Sequence, residues 1–300
     1  MKLAVLAELF TIFLWSLGNI FIAYLNLFFD NYTQNFFRYI SAALTLLLFS
    51  LAFNKNKYFS SLKNVKTLTI PILTVFVFQI FNVYGIAFTT PTIATLITRL
   101  SVIFVDVFSF FLFSEERVTL TNKNFIVGTL LSFFGVFGVV LVGSSLFYSN
   151  EFFFIGVLFL ILTSILWAIY IVSIKIALRN SDPLSTTTNV FLISGVMYLP
   201  FSVLTGGLYK VLNEDLAINF LLIASGILSI GIGNFLNYYA IQELGASLST
   251  NLQLLIPIVT GILSMIVLNE PMPTSKVIFS LLALVGCWLV IRASNKSSER

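Results

Sequence analysis

Apolar runs of about 20 residues follow one another along almost the whole chain, broken only by short segments that hold charge, Pro or Asn. A bilayer core about 30 Å thick takes about 20 apolar residues as an α-helix, whereas a barrel strand needs about 10 of alternating polarity. The runs are of helix length, so the expected fold class is an all-α membrane protein. Composition agrees: 58% of the 300 residues are hydrophobic and 9% are charged, against about 25% charged in soluble chains. A water-soluble globule is excluded.

Cutting the runs at charge, Pro and Asn gives ten expected spans. The first five lie near Ala4–Leu25, Gln34–Phe53, Thr67–Phe88, Thr92–Phe113 and Phe125–Leu146. The second five lie near Phe152–Lys175, Ser185–Thr205, Ala217–Ile241, Ala246–Leu268 and Ser275–Arg292. The first run is too long for the apolar core of a leader peptide and reads as a retained span. With a cytoplasmic N-terminus, the inside segments hold Lys2, Lys55, Lys57, Lys63, Lys66, Arg117, Lys123, Lys175, Arg179, Arg292, Lys296 and Arg300, and the outside segments hold only Lys210 and Lys276. The positive-inside rule then puts both termini in the cytoplasm, in the plasma or inner membrane.

Sixteen Lys and Arg against twelve Asp and Glu leave a charge of +4, too small and too dispersed for a nucleic-acid partner. There is no His and a single Cys, Cys287, so imidazole acid/base chemistry, thiolate metal cages and disulfides drop out, and no enzyme activity or cofactor is expected. No GxxxxGK[ST] string occurs, so uphill movement of a solute would draw on a gradient rather than on ATP.

The chain also resembles itself. A shift of 154 lays Tyr84 on Tyr238, Thr90-Pro91-Thr92 on Leu244-Gly245-Ala246 and Glu116 on Glu270, while a shift of 152 lays Trp15 on Trp167. The implied repeats are residues 1–147 and 148–300. Five spans each is an odd number, so the second copy enters the membrane from the opposite side, and inverted repeats suit alternating access.

Leu14-Trp15-Ser16, Arg38, Glu116-Arg117-Val118-Thr119, Leu166-Trp167-Ala168, Tyr239-Ala240, Gly245-Ala246-Ser247, Pro257, Leu268-Asn269-Glu270-Pro271 and Gly286 follow one another in order over nearly the whole chain. In that order and spacing they resemble the drug/metabolite transporter superfamily, in particular its ten-helix EamA-type permeases. Pro257 has Ile103 at its repeat equivalent, a departure from the family pattern. The resemblance implies two five-helix repeats around a central cavity, substrates from amino acids to other small metabolites, and export as the direction.

An ionisable side chain at the centre of a span costs about 2.5–3.5 kcal/mol on insertion scales and should face protein or water. Span 4 carries Arg99 and Asp106, seven residues apart and so about 10 Å along one helix face; Thr95 and Ser109 extend the seam. Two readings fit: the guanidinium holds an anionic group of the substrate and the carboxylate takes a proton or a cationic group, or the two charges neutralise each other or a neighbouring helix. Span 1 offers Glu8, Thr11, Trp15, Asn19 and Asn26 on one side. Glu8 reads either as a proton site or as a carboxylate reaching the interface.

Trp15 and Trp167 read as an aromatic wall or as packing. Gln79 and Asn82 in span 3, and Asn234, Asn237 and Tyr238 in span 8, read as polar lining or as inter-helix hydrogen bonds. In span 9, Gln253, the repeat equivalent of Arg99, shares a face with Pro257, Thr260 and Ser264. Pro257 removes a backbone donor and frees a carbonyl, which makes it a hinge candidate or part of a ligand site, with Gln253 as a substrate-binding candidate. Arg38 and Lys175 read as interface anchors whose stems snorkel, and for Arg38 the resemblance leaves a cavity-facing position as the alternative. Glu116 and Glu270 read as helix-end or loop-pinning residues, and Gly135, Gly138, Gly231 and Gly233 as close-contact positions. The expected function is secondary transport of a small metabolite, with protons as the candidate coupling ion and a monomer or homodimer in the bilayer. The alternative is a passive channel or a lipid-moving membrane scaffold.

Overall fold

The computed structural model describes residues 2–53, 55–89, 94, 97–141, 152–268 and 273–298. Among them no strand occurs, and the helices follow the apolar runs. The first group is α1 (Lys2–Leu25), α2 (Asn31–Phe53), α3 (Lys55–Ser61), a 3-10 segment (Leu62–Leu68) and α4 (Thr69–Phe88). Next come α5 (Leu100–Leu112), α6 (Ser114–Leu120) and α7 (Lys123–Leu141). Then follow α8 (Phe153–Leu178), α9 (Pro183–Leu204), α10 (Gly207–Asn213), α11 (Leu216–Ser225), a π-helical segment (Gly226–Ile232) and α12 (Gly233–Leu244). The last are α13 (Ala246–Leu252), a 3-10 turn (Gln253–Leu255), α14 (Ile256–Leu268) and α15 (Thr274–Ser298).

Loop carboxylates start several of these helices. Asp30 Oδ1 accepts the N–H groups of Tyr32 at 3.0 Å and Thr33 at 3.1 Å at the start of α2. Asp182 accepts Ser185 N–H at 3.1 Å at the start of α9, with Pro183 in the first turn. Asp215 accepts Ala217 N–H at 2.8 Å for α11. Each satisfies a backbone donor that has no partner inside its helix and places negative charge at the positive end of the helix dipole.

Eight helices among the described residues are long and apolar enough to cross a membrane, or nine if Ser114–Leu120 and Lys123–Val139, bent by 74°, form one span. The expectation of ten is therefore met only in part. Span 4 corresponds to α5, 13 residues long, and its expected start at Thr92 lies outside the described residues, as do the end of span 5 and Glu270. Arg117 closes α5 from beyond its end, donating to Phe110 O at 2.8 Å and Phe111 O at 3.2 Å, groups that have no partner in the last turn of a helix.

Two compact units form. Unit 1 takes residues 1–76 and 173–242, and unit 2 takes 77–172 and 243–300. Neither coincides with a sequence half: each combines chain from before and after residue 147. In unit 1, Tyr198 of α9 is fully buried against Tyr39 of α2, ring centroids 5.5 Å apart and nearly perpendicular, and against Phe76 at 5.0 Å. In unit 2, α7 and α15 approach through glycines. A Cβ on Gly135 would stand 2.6 Å from Ala283 N, and one on Gly128 would stand 2.7 Å from Gly286 O. Without a hydrophobic drive between helices in lipid, such close approach supplies the packing.

Polarity is inverted relative to a soluble protein. Phe111, Phe134, Phe154 and Phe220 are exposed, while Thr11, Ser16, Arg38, Ser109, Asn237 and Gln253 are buried. Apolar exposure on this scale suits hydrocarbon rather than water. The chain is a multi-pass membrane protein.

Candidate functional site

In unit 2 the polar groups gather on the segment that begins at Gly245. Gly245 has φ +90° and ψ 164°, a region open in practice only to glycine, and this turn delivers the start of α13 to a carboxylate. Glu116 of α6, itself buried, accepts Ala246 N–H with Oε1 at 2.8 Å and Ser247 N–H with Oε2 at 3.1 Å. The loop-pinning reading of Glu116 is correct, with the helix N-terminus as its object.

One turn on, Asn251 faces Asp106 of α5. Its Nδ2 donates to Asp106 Oδ1 at 3.0 Å and Oδ2 at 3.1 Å, and also to Ser247 O at 3.0 Å. Its Oδ1 accepts Thr129 Oγ1–H at 2.7 Å, and its backbone O accepts Cys287 Sγ–H at 3.9 Å. Asn251 is thus fixed from three sides, with its amide N–H turned to the carboxylate. Arg99, on the turn before α5, donates from Nη1 to Gln253 O at 3.4 Å, while its Nε is buried without an acceptor. Neither charge pairs with the other: among the described residues, Arg99 and Asp106 are served by neutral groups of 251–253. Each head group is drawn sideways to this segment rather than along the helix axis, which is the neighbouring-helix form of the packing reading. Ser109, on the same seam, is fully buried with Oγ unpartnered. Thr95 lies outside the described residues.

The carbonyl that Arg99 reaches is the one Pro257 leaves open. An N–H at position 257 would bond the carbonyl four residues back, at 253; proline has none. Ile256 N–H bonds Gln253 O instead, which tightens 253–255 into a 3-10 turn.

In unit 1 the span Leu216–Leu244 departs from α-geometry in the opposite direction, widening into the π segment. Thr11 Oγ1 donates to Gly233 O at 3.1 Å and to Ala7 O at 3.1 Å. Trp15 Nε1 donates to Ser229 O at 3.0 Å. Arg38 Nη2 donates to Ser229 Oγ at 2.8 Å. The seam of span 1 divides here: Glu8 and Thr11 are fully buried, whereas Asn19 and Asn26 are exposed. Burial bears on two interface readings: Glu8 at 0% and Arg38 at 3% exposure lie inside unit 1.

Asn234 spends its amide on its own helix, donating to Ile230 O at 3.0 Å and Ser229 O at 3.4 Å. Asn237 and Tyr238 are fully buried in unit 1. Gln79 and Asn82 are half-buried in unit 2, where Trp167 packs between Phe78 and Tyr170, ring centroids 5.1 and 5.2 Å away. Trp15 therefore belongs to unit 1 and Trp167 to unit 2. Among the described residues, no three acidic or Cys side chains cluster as metal ligands. Asn251, Thr129 and Ser229 went unnoticed in the sequence reading. Asn251 lies in the polar stretch Ser247–Gln253, whose polarity spreads round the helix and singles out no one residue, and a hydroxyl such as Thr129 or Ser229 in an apolar run carries no sharper signal.

Comparison with known proteins fits this arrangement. The profile of the EamA-like transporter family matches residues 2–141 and again 154–292. An uncharacterized transporter of Haemophilus influenzae is 23% identical, over 97% of this chain and 98% of its own length. Another, of Archaeoglobus fulgidus, is 28% identical over 76% and 77%. A solved crystal structure superposes with a TM-score of 0.79 at 16% identity, covering 97% of this chain and 98% of the other, so the fold is shared. The chain belongs to the EamA-like transporter family.

Proposed function

We propose that the chain is a secondary carrier that exports a small metabolite, such as an amino acid or a related compound, by alternating access. The observation that carries this reading is that one family profile fits the chain twice, at 2–141 and 154–292. Five spans per copy make the copies inverted, and two inverted five-helix repeats, ten spans in all, tip against each other around a shared cavity. It acts without covalent chemistry, in the plasma or inner membrane, with both termini cytoplasmic.

Asp106 is the leading proton site, since it is held by an amide and, among the described residues, no cation pairs with it. A carboxylate that accepts from a neutral donor can bind and release a proton without breaking an ion pair. Pro257 is the hinge candidate of the same unit, beside Arg99, Asp106 and Gln253, which are solute-contact candidates there. Trp15, Asn19, Gln79, Asn82, Trp167, Asn234, Asn237 and Tyr238 are the remaining solute-contact candidates, and Glu8 is the second proton candidate.

The test is efflux from proteoliposomes loaded with a labelled amino-acid mixture. Saturable efflux, accelerated by an inward proton gradient and competed by related solutes, supports the carrier. A flux that never saturates identifies a channel instead, and absence of flux for every solute class refutes transport.

A further inference from the structure

We propose that Arg38 in unit 1 is the site that receives the carboxylate of the transported solute. The proposal rests on the carrier reading above and names the class of solute, small monocarboxylates including amino acids.

Arg38 is the eighth residue of α2, about 10 Å inside the start of that helix. Its partner Ser229 lies near the middle of the 29-residue span Leu216–Leu244. The side chain is 3% exposed, too deep for its head to rest at an interface. A guanidinium offers five N–H donors. Among the described residues one is used, from Nη2 to Ser229 Oγ at 2.8 Å, and Nε is buried with no acceptor. Among the described residues no carboxylate pairs with it. A neutral amide would serve for that single bond, whereas a full charge left unpaired in a span is retained against its desolvation cost. Since no described residue supplies the matching anion, we assign it to the solute.

The surroundings hold the guanidinium in place. Ser229 Oγ–H donates to Ser225 O at 2.6 Å, so its lone pairs turn toward Arg38. Ser229 sits in the π-helical segment, a rare geometry that recurs at functional sites. That segment is wedged against both neighbours. A Cβ on Gly226 would lie 2.6 Å from Arg38 Cα, and one on Gly18 would lie 2.7 Å from Ser229 Cβ. Trp15 is bonded to the same residue, Ser229, which puts an indole beside the charge. A planar fork with one positive charge matches a carboxylate in shape and in charge. A phosphate dianion would be left one charge short.

The experiment uses the full chain purified in detergent, with thermal shift as the readout. The probes are formate, acetate, propionate, butyrate and the L-amino acids, each beside its own amide, with inorganic phosphate as the dianion. At least one carboxylate is expected to raise the melting temperature while its amide does not. Arg38→Gln is expected to weaken that carboxylate at least tenfold and to melt no lower than the unsubstituted protein, with Arg38→Lys intermediate. Should Arg38→Gln not fold, Ser229→Ala keeps the charge and is expected to weaken carboxylates several-fold while leaving amides unchanged.

Equal response to acid and amide, response to phosphate alone, undiminished binding in Arg38→Gln, or no response of the unsubstituted chain to any carboxylate overturns the assignment. Proteoliposome efflux then separates the two ideas. Transport that survives in Arg38→Gln removes this site and leaves the carrier standing, and transport absent from the unsubstituted chain removes the carrier as well.

Discussion

Arg99 donates to the backbone carbonyl of Gln253, 154 positions further along the chain, at 3.4 Å. That interval is also the shift that lays Tyr84 on Tyr238 and Glu116 on Glu270 in the sequence, so the contact joins two positions matched by the self-comparison. Under the inverted repeat proposed above, equivalent positions meet only close to the two-fold axis, and this bond is what an axis near Arg99 would produce. The pair is unlike in chemistry, a cation against an amide residue, and Pro257 has Ile103 at its matched position.

The first prediction follows from the missing N–H of Pro257. In Pro257→Ala an amide proton returns at 257 and competes with Arg99 for Gln253 O, so the 3-10 turn reverts toward α-helix. Stability is expected to rise by about 1–2 kcal/mol, since proline in a helix interior costs about 3 kcal/mol and its lower unfolded entropy returns part of that. Transport is expected to slow about three- to tenfold. Melting curves and initial efflux rates measure both; unchanged stability together with an unchanged rate would remove the hinge role.

Asp106 and Asn251 supply the second. Asp106→Asn preserves size but cannot carry a negative charge or exchange a proton. Solute exchange with no gradient is expected to continue within about threefold, while acceleration by a proton gradient disappears. Asn251→Leu leaves the carboxylate in place but removes its donor and also strands Thr129. It is expected to impair both modes and to lower the melting temperature, by roughly 1–3 kcal/mol in stability. If Asp106→Asn still responds to the gradient in full, the proton site lies elsewhere, with Glu8 next to test.

How far the sequence discloses this architecture depends on which physical signal each residue emits. Arg99 and Asp106 stand out because a charge inside an apolar run has no neutral explanation, and both occupy polar positions in unit 2. Arg38 is ambiguous because it lies only eight residues into α2, within reach of snorkelling; only packing of α2 against the π segment shows that the head turns inward. Asn251 was hidden by company, since Ser247, Ser249 and Thr250 spread polarity round the helix and blur its face. The bend of 74° between α6 and α7 follows Thr121 and Asn122, residues that read equally well as an ordinary loop. The π widening at Gly226–Ile232 has glycines as its only trace, and the same glycines serve tight packing.

A third prediction concerns the start of α13. Glu116 caps two N–H groups there, and Gly245 places its Cα so that any Cβ would stand 2.6 Å from Glu116 Oε1. Glu116→Ala is expected to cost about 1–2 kcal/mol as a lost cap. Gly245→Ala is expected to cost about 1–3 kcal/mol from its backbone conformation alone. Because the two residues are in contact, the double variant should fall short of the sum of the singles. Thermal melts of the four proteins test this, and strict additivity would show that the cap and the turn act independently.

The fourth prediction separates two kinds of glycine contact along α7 and α15. At Gly135 a Cβ would meet backbone atoms of the facing helix, Ala283 N at 2.6 Å and Phe279 O at 2.7 Å, with Ala283 Cβ at 2.8 Å. At Gly138 the three nearest atoms it would meet all belong to the ring of Phe279. Gly135→Ala and Gly138→Ala are each expected to destabilise by about 1–3 kcal/mol through overpacking, but the remedies differ. A ring can be shortened, so Phe279→Leu should restore most of the stability lost in Gly138→Ala. Backbone cannot be removed, so Ala283→Gly should restore little of that lost in Gly135→Ala, because two of its three obstacles remain. Melting temperatures of the two single and two double variants decide the matter. Equal rescue at both positions would mean that α15 shifts as a rigid rod to admit a methyl group, and that the glycines do not set the separation of the two helices.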